Sequence, residues 1–155
     1  MHPNGDVLTR LFTALERHDH QSMAACYDED ATFSDIAFDL NQRKRIHAMW
    51  HMICEGDIRT RFEIVDVNDR SAVVNVTDDY TFRSTGRKVH NVIRSDFRFH
   101  KGSIVHQHDD CDARKWAAMA VGGVGGFLAG RFPFVRRKKA RRTLDAFIAR
   151  HPEYK

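Results

Sequence analysis

Four strand-like runs fill the second half of the chain, and only short turns separate them. The runs are IRTRFEIVDV (58–67), SAVVNVTDDYTF (71–82), KVHNVIRSDFRF (88–99) and SIVHQHDDCD (103–112). Turn-forming residues stand between them at Asn68-Asp69, Ser84-Thr85-Gly86 and Lys101-Gly102. Connections this short join antiparallel neighbours, because a parallel pair needs a crossover of about a dozen residues. The second half is therefore constrained to form a meander sheet.

The first half of the chain is mainly helical in pattern. Apolar residues recur at helical spacing from Leu8 to Leu15, from Met23 to Tyr27 and from Lys44 to Gly56. The run ATFSDI (31–36) between the second and third segments is typical of a short strand. Helices followed by an antiparallel meander predict the α+β class.

Composition narrows the class of protein further. A chain of 155 residues suits one domain, and much of its net charge of +4 comes from residues 131–142. Its three cysteines lack CxxC spacing, which favours neither a disulfide framework nor a zinc knuckle. The N-terminus has no export-signal pattern, so we expect a cytoplasmic protein. No aromatic-lined basic groove is apparent, which disfavours nucleic-acid binding.

The last hairpin predicts a charged face of the sheet. A two-residue turn at Lys101-Gly102 pairs His100 with Ser103 and places Arg94 opposite Asp109. Alternation then puts one set of polar side chains on one face, namely Arg94, Asp96, Gln107 and Asp109. The other face receives Phe97, Phe99, Ile104, His106 and His108.

The preceding hairpin leaves two alternatives for Asp78. A three-residue loop, 84–86, sets Asp78 opposite Val92 and on the face of Asp109. A two-residue loop would turn Asp78 to the other face, because a slip of one residue reverses every side chain. The longer loop is favoured because Gly86 suits the left-handed position that it requires.

Three stretches of the sequence resemble one superfamily. YDEDATFSDIAF (27–38), TGRKVHNVIRSDFRF (85–99) and KGSIVHQHDDCDARKWA (101–117) are similar to the nuclear-transport-factor-two-like (NTF2-like) superfamily. It includes ketosteroid isomerases, SnoaL-like polyketide cyclases and limonene-epoxide hydrolase. The resemblance implies a cone-shaped, curved antiparallel sheet wrapped around the N-terminal helices, as in a cystatin-like α+β barrel. It spans a domain of residues 1–120, followed by a Gly-rich and then basic helical extension, 121–155.

Similarity to the ketosteroid isomerases implies a general base at Asp35. An aspartate that enters an apolar pocket has its pKa raised by desolvation, which suits proton abstraction next to a carbonyl. The family's oxyanion-stabilising tyrosine corresponds to Leu11, however, and Asp96 lies only near the position of its protonated acid. Steroid isomerisation is therefore disfavoured.

Similarity to limonene-epoxide hydrolase implies a different pair of acids. Asp109 matches the water-activating aspartate and the acid/base aspartate of SnoaL-like cyclases, and Asp78 matches the acid that protonates the epoxide. The bridging arginine corresponds to Val76. The water-binding tyrosine and asparagine correspond to Phe33 and Asp35.

Together these observations predict an acid/base enzyme that acts on an apolar or cyclic small molecule without a cofactor or metal. Its predicted catalytic residues are Asp35, Asp78 and Asp109. Its predicted substrate-binding residues are Phe33, Trp50, Tyr80, Arg94 and Asp96. The alternative is a non-catalytic ligand-binding or dimerisation module in which the same charges form salt bridges and Asp35 caps a turn.

The C-terminal segment suggests further contacts. Its glycines argue against one continuous helix, and GGVGG lacks the lysine of a phosphate-binding loop. Val135, Leu144, Phe147 and Ile148 form an apolar stripe beside basic residues. The stripe predicts either a docked helix or a reversible contact with anionic lipid. A homodimer through an apolar outer sheet face is also expected.

Overall fold

The computed structural model describes residues 1–155. The helices are α1 (Pro3–Glu16), α2 (His20–Ala24), α3 (Arg43–Cys54), α4 (Ala113–Ala120), α5 (Gly123–Arg131) and α6 (Pro133–Arg150), followed by a 3₁₀ helix (Pro152–Tyr154). The strands are β1 (Tyr27–Ser34), β2 (Asp39–Asn41), β3 (Arg59–Val67), β4 (Ser71–Phe82), β5 (Arg87–His100) and β6 (Ser103–Asp110). The predicted α+β class is confirmed.

The strands form one open sheet in the order β2-β1-β6-β5-β4-β3. β3 to β6 make the predicted antiparallel meander, and β2 pairs antiparallel with β1. β1 runs parallel to β6, so the sheet is mixed and not wholly antiparallel. No hairpin fixes the direction of β1 relative to β6, because α3 and the whole meander separate them along the chain.

Phe12 anchors the core between α1 and the inner face of the sheet. Its ring stacks on Phe62 at 5.0 Å between centroids and meets Phe97 edge-on at 6.2 Å. Leu8 and Leu11 on the same helix are also fully buried. The helical spacing of apolar residues thus marks the face by which α1 packs.

Tyr27 lies in a strand, although its spacing predicted the end of the second helix. α2 ends at Ala24, and Tyr27 pairs with Ile104 of β6. The acidic residues 28–30 belong to β1, where its register against β6 is irregular. Burial of the Tyr27 ring within the sheet overrides the local helical pattern.

The β4–β5 hairpin has a longer loop than predicted. Its loop comprises residues 83–86, with Gly86 at a φ of 72°. Asp78 consequently pairs with Asn91, and Val92 turns to the outer face, where it is exposed. The predicted pairing of Asp78 with Val92 is wrong by one residue.

The β5–β6 hairpin contains a bulge. His100 pairs with Ser103 as predicted, but the extra residue Val105 shifts every later pair by one. In each hairpin the observed pairing thus differs by one residue from the predicted pairing. For Asp78 and Asp109 the two differences cancel. These two aspartates share the inner face of the sheet, as the favoured loop predicted.

The outer face of the sheet is mostly polar. Val65 and Val92 are the exposed large apolar side chains of the strands. The continuous apolar surface predicted for a homodimer interface is therefore absent from this face. Dimerisation itself stays a prediction.

Three helices follow β6, as the glycine-interrupted sequence indicated. α4 and α5 are separated at Gly122, whose φ is 70°. α6 packs against α3 and buries Leu144, Phe147 and Ile148, so the predicted docked helix is confirmed. Val135 is only partly buried. No helix combines the length and the apolar character needed to cross a bilayer.

Candidate active site

Asp109 lies near the end of β6 with its carboxyl group turned inward. Its Oδ1 accepts hydrogen bonds from Ser95 Oγ at 2.6 Å and from Gln107 Nε2 at 3.0 Å, whereas its Oδ2 accepts none within the chain. Burial raises the pKa of Asp109 to about 7 and outweighs the two hydrogen bonds. A carboxyl group of this kind exchanges a proton near neutral pH.

A buried chain of hydrogen bonds orients the amide that holds Asp109. Trp50 Nε1 donates to Tyr27 Oη at 3.0 Å, and Tyr27 Oη donates to Gln107 Oε1 at 2.5 Å. Gln107 then turns its amino group to Asp109. Tyr27 and Ser95 are not among the site residues predicted from the sequence. The adjacent apolar pair Ile104-Val105 breaks the alternation and is the sequence signal of the bulge that brings Ser95 opposite Asp109.

Asp78 faces the same side of the sheet from β4. Its side chain is buried, and its Oδ1 has no hydrogen-bond partner. Burial raises the pKa of Asp78 to about 6. Thr60, which pairs with Asp78 across β3 and β4, also has a buried hydroxyl without a hydrogen-bond partner, and it lowers the pKa of Asp78 against the larger effect of burial.

Asp35 closes a turn between β1 and β2. Its Oδ1 accepts hydrogen bonds from the backbone N–H groups of Ala37 at 2.7 Å and Phe38 at 2.6 Å. The turn-capping role that the sequence left open is therefore present. Burial nevertheless raises the pKa of Asp35 above its ordinary value, since the loss of solvation outweighs these hydrogen bonds.

Tyr80 stands two residues after Asp78 and so on the same face of β4. Its Oη accepts a hydrogen bond from Trp116 Nε1 at 2.8 Å, while its own O–H donates to no group of the chain. Burial raises the pKa of Tyr80 to about 12. Its hydroxyl group therefore keeps its proton and remains available as a donor.

Asp109 lies within range of the charges of both other predicted catalytic aspartates. Burial has the largest effect on the pKa of Asp109, and its hydrogen bonds oppose that effect. The charges of Asp35 and Asp78 have smaller effects and raise the pKa. The Asp35 and Asp78 charges also raise the pKa of Tyr80, although burial has the larger effect. With a pKa of about 7, Asp109 is therefore about half protonated at neutral pH, whereas Asp78, with a pKa of about 6, is mostly ionised.

Phe33 and Trp50 lie behind the aspartates in the core. The two rings meet edge-on at 5.8 Å between centroids, and both are buried. They give the interior next to the cluster an apolar wall. Their contact with a substrate stays a prediction.

Arg94 and Asp96 do not join the cluster. Ser95, and not Arg94, is opposite Asp109, because the Val105 bulge shifts the register. Arg94 and Asp96 point outward and form a solvent-exposed pair at 3.5 Å. Their predicted place beside Asp109 is therefore wrong.

His106 and His108 also lie on the outer face, for the same reason. Their Nδ1 atoms make hydrogen bonds with Thr32 Oγ1 at 2.6 Å and Ser34 Oγ at 2.7 Å, respectively. The predicted shared face with the buried phenylalanines of β5 is wrong. The two histidines remain on the side of the sheet opposite Asp109, as the sequence indicated.

Two arginines of α6 bind the turn that contains Asp35. Arg136 Nε donates to the carbonyl oxygen of Ile36 at 2.5 Å, and Arg137 Nη2 donates to that of Asp35 at 3.4 Å. The positive charge of Arg137 also favours the ionised form of Asp35. The C-terminal extension thereby fixes one edge of the aspartate cluster.

Two cavities lie apart from the aspartates. One of about 510 Å³ is next to α4 and α5, and one of about 770 Å³ opens between α2, α3 and the C-terminal 3₁₀ helix. Neither is lined by Asp35, Asp78 or Asp109. The convergence of carboxyl groups, and not cavity size, therefore defines the candidate site.

The fold and this inward-facing carboxyl cluster define an NTF2-like protein. A family model described as a SnoaL-like domain matches residues 8–107, about two thirds of the chain, so the protein belongs to the SnoaL-like family. The matched span includes Asp35 and Asp78 and ends two residues before Asp109. A comparison with curated proteins found no match.

Solved structures share the fold at low sequence identity. A candidate polyketide cyclase from a Silicibacter species is 17% identical with a TM-score of 0.70, covering 77% of this chain and 96% of that chain. An LEH-like epoxide hydrolase from M. tuberculosis is 14% identical with a TM-score of 0.63, covering 81% and 95%. A candidate isomerase from Rhodopseudomonas palustris is 15% identical with a TM-score of 0.65, covering 79% and 98%. The predicted superfamily is confirmed.

Proposed function

We propose that this protein is an acid/base enzyme that moves a proton at a carbon next to a carbonyl group in an apolar, cyclic substrate. The observation that carries the proposal is the Asp109 carboxyl group, which is fixed through Oδ1 and free at Oδ2. Its pKa of about 7 suits a general base at neutral pH.

In the proposed step, Oδ2 of ionised Asp109 accepts the proton from the substrate carbon. Negative charge then develops on the substrate oxygen, and the free O–H of Tyr80 donates a hydrogen bond to it. Asp109 returns the proton to the product carbon. Asp78 faces the same side of the sheet and, with a pKa of about 6, exchanges a proton just below neutral pH.

Water activation of the epoxide-hydrolase type is less well supported. The resemblance places that family's two water-binding side chains at Phe33 and Asp35. Phe33 has no hydrogen-bonding group, and Oδ1 of Asp35 is already used by the turn. A positioned water would thus lack most of its partners.

The test is hydrogen–deuterium exchange at the acidic carbon of a panel of cyclic ketones and 1,3-diketones, followed by NMR in D₂O. We expect exchange above the buffer rate for the wild type and a loss of roughly 100-fold or more in Asp109→Asn. Asp110→Asn is the matched control, since Asp110 is adjacent but exposed. Its exchange rate should equal that of the wild type.

NMR titration of the aspartate carboxyl groups separates the two functions left open by the sequence. The shared acid/base site is supported if the pKa of Asp109 is elevated, if it shifts when a ligand is added, and if it differs in the Asp78→Asn variant. Ordinary pKa values that no ligand moves, together with buffer-rate exchange in the wild type, would leave a non-catalytic module.

We also propose that the C-terminal extension binds anionic membrane surfaces. Large apolar side chains are exposed there, with Val124 77%, Phe127 67% and Phe134 69% exposed. From 113 to 144 the chain contains Lys and Arg but no Asp or Glu. This charge repels a second copy of the same surface and attracts acidic lipid, by about 1 kcal/mol per basic residue near the headgroups.

Co-sedimentation with vesicles tests the membrane contact. We expect binding to vesicles that contain phosphatidylglycerol but not to pure phosphatidylcholine, and a clear loss of binding in Phe127→Ser/Phe134→Ser. Val65→Ser/Val92→Ser is the control, because it removes exposed apolar groups from the sheet. The lipid assignment would be contradicted if the protein bound no vesicles and instead formed a concentration-dependent dimer that Phe127→Ser/Phe134→Ser abolished.

A further inference from the structure

A second cluster of titratable side chains lies on the far side of α3 from the aspartates. It forms where α2 and α3 meet the C-terminal 3₁₀ helix, along the cavity of about 770 Å³. Its members are His20, His47, His51, His151, Glu55, Glu153 and Tyr154. The proposed proton transfer uses none of them.

Two imidazole rings in this cluster have one nitrogen anchored and the other free. His151 Nδ1 lies 2.8 Å from the carbonyl oxygen of Phe147, which only accepts, so this nitrogen carries the proton. Tyr154 Oη lies 2.9 Å from His51 Nδ1, and in the tautomer whose Nδ1–H donates to this oxygen, Nε2 keeps its lone pair. Metal-binding histidines are typically oriented in this way by a hydrogen bond at the second nitrogen.

Carboxylates complete the set of potential ligands. One ligand atom from each of His51, His151 and Glu153 lies within 4.8 Å of the others. Glu55 Oε1 is 3.7 Å from His51 Nε2 and 3.9 Å from His151 Nε2. The Nε2 atoms of both histidines therefore face Oε1 of Glu55, whose Oε2 lies 3.7 Å from Arg83 Nη1.

We propose that His51, His151 and Glu153 bind a divalent transition-metal ion of the zinc type, with Glu55 within reach as a fourth ligand. Imidazole with carboxylate is a donor set that suits zinc and its neighbours better than magnesium or calcium. Tetrahedral zinc at its usual bond lengths separates its ligand atoms by roughly 3.3 Å, so these side chains need approach by only roughly 1.5 Å.

Two more histidines support His51. His20 stacks on His51 at 3.8 Å between centroids and makes a 2.8 Å hydrogen bond with His47. His51 is thereby held in place by a packed neighbour. The open cavity gives an ion access to the site.

A metal at this position would join α3 to the end of α6. His51 and Glu55 belong to α3 and its C-cap, whereas His151 and Glu153 follow α6. The same extension binds the Asp35 turn through Arg136 and Arg137. A bound ion would thus hold α3 and the C-terminal extension together and stabilise the docked extension.

The experiment uses the full chain without a histidine tag, stripped with EDTA. Isothermal titration with Zn²⁺ should show one site per chain, and the melting temperature should rise with Zn²⁺ but not with Mg²⁺. We expect His151→Gln and Glu153→Gln each to weaken Zn²⁺ binding by about tenfold or more. His100→Gln and Glu63→Gln, both exposed on the sheet, are the matched controls and should bind like the wild type.

Glu153 is exposed, so Glu153→Gln keeps the test valid even if His151→Gln fails to fold. A Co²⁺-substituted wild type should show the visible absorption of a tetrahedral nitrogen and oxygen site, and Glu153→Gln should change that spectrum. Absence of Zn²⁺ binding by the wild type overturns the proposal. Wild-type affinity in the Glu153→Gln chain overturns it equally, because the ion would then lie elsewhere.

Discussion

Replacing Asp109 by Asn is expected to stabilise the protein at neutral and alkaline pH. The folded chain keeps Asp109 half-buried with a pKa of about 7, whereas an unfolded aspartate titrates near an ordinary value of about 3.9. The Asn side chain has the same shape, and its carbonyl oxygen still accepts hydrogen bonds from Ser95 and Gln107. The substitution thus removes mainly the cost of ionising a buried group.

The sign and size of the effect follow from proton linkage. Below about pH 4 both states hold the Asp109 proton, so the group does not affect the free energy of unfolding. Between about pH 4 and 7 the unfolded chain releases the proton and the folded chain keeps it, so stability falls as the pH rises. A difference of about 3 pKa units corresponds to about 4 kcal/mol, and partial contact with water reduces this to about 2–4 kcal/mol above pH 7.

Urea denaturation of the wild type and Asp109→Asn at intervals from pH 4.5 to 8.5 measures the difference. The two chains should be about equally stable at the acid end and diverge as the pH rises, with the variant more stable. Asp110→Asn controls for the loss of one surface charge and should follow the wild-type curve. A constant offset between wild type and Asp109→Asn across the range would refute the elevated pKa.

Two further substitutions test the packing around the site by the same denaturation assay. Phe147→Ala should cost about 3–5 kcal/mol, because this ring is fully buried where α6 docks, whereas Phe134→Ala, 69% exposed, should change stability by about 0.5 kcal/mol or less. Tyr27→Phe should cost about 2–4 kcal/mol, because it leaves the Trp50 N–H and the Gln107 carbonyl buried without a partner. It should also shift the NMR titration of Asp109, and an unchanged titration would show that the hydrogen-bond chain does not reach that carboxyl group.

The order of elements could be predicted from the sequence because turn residues and apolar spacing are local signals. The residues that face the site could not, because the register depends on two single-residue features. The extra residue in the loop 83–86 leaves the residue types of the strands unchanged, and the adjacent apolar pair Ile104-Val105 is the one local mark of the bulge. Asp78 and Asp109 lie on a common face because the pairing differs from the prediction by one residue in both hairpins. Arg94 lies on β5, so only the bulge at Val105 changes its position relative to Asp109, and its side chain faces outward.

The helices at the C-terminal end of the chain could also be predicted only in part from the sequence. The spacing of Leu144 and Phe147 predicts a buried helix face, because the apolar face of an amphipathic helix can be recognised without knowing what it packs against. The contacts of Arg136 and Arg137 with the Asp35 turn join residues about a hundred positions apart. No pattern within either segment encodes that pairing.

Asp35 and Asp109 are both half-buried acids, but they differ in what holds their carboxyl groups. Oδ1 of Asp35 holds the backbone of its own turn, and α6 secures the same turn from outside. Proton abstraction by Asp35 would weaken the hydrogen bonds that keep its turn in place, because protonation removes the charge that they stabilise. Asp109 instead receives its hydrogen bonds from side chains on the sheet, and its second oxygen is free. Asp109 can therefore change its protonation state without moving backbone, which favours Asp109 over Asp35 as the base of the proposed reaction.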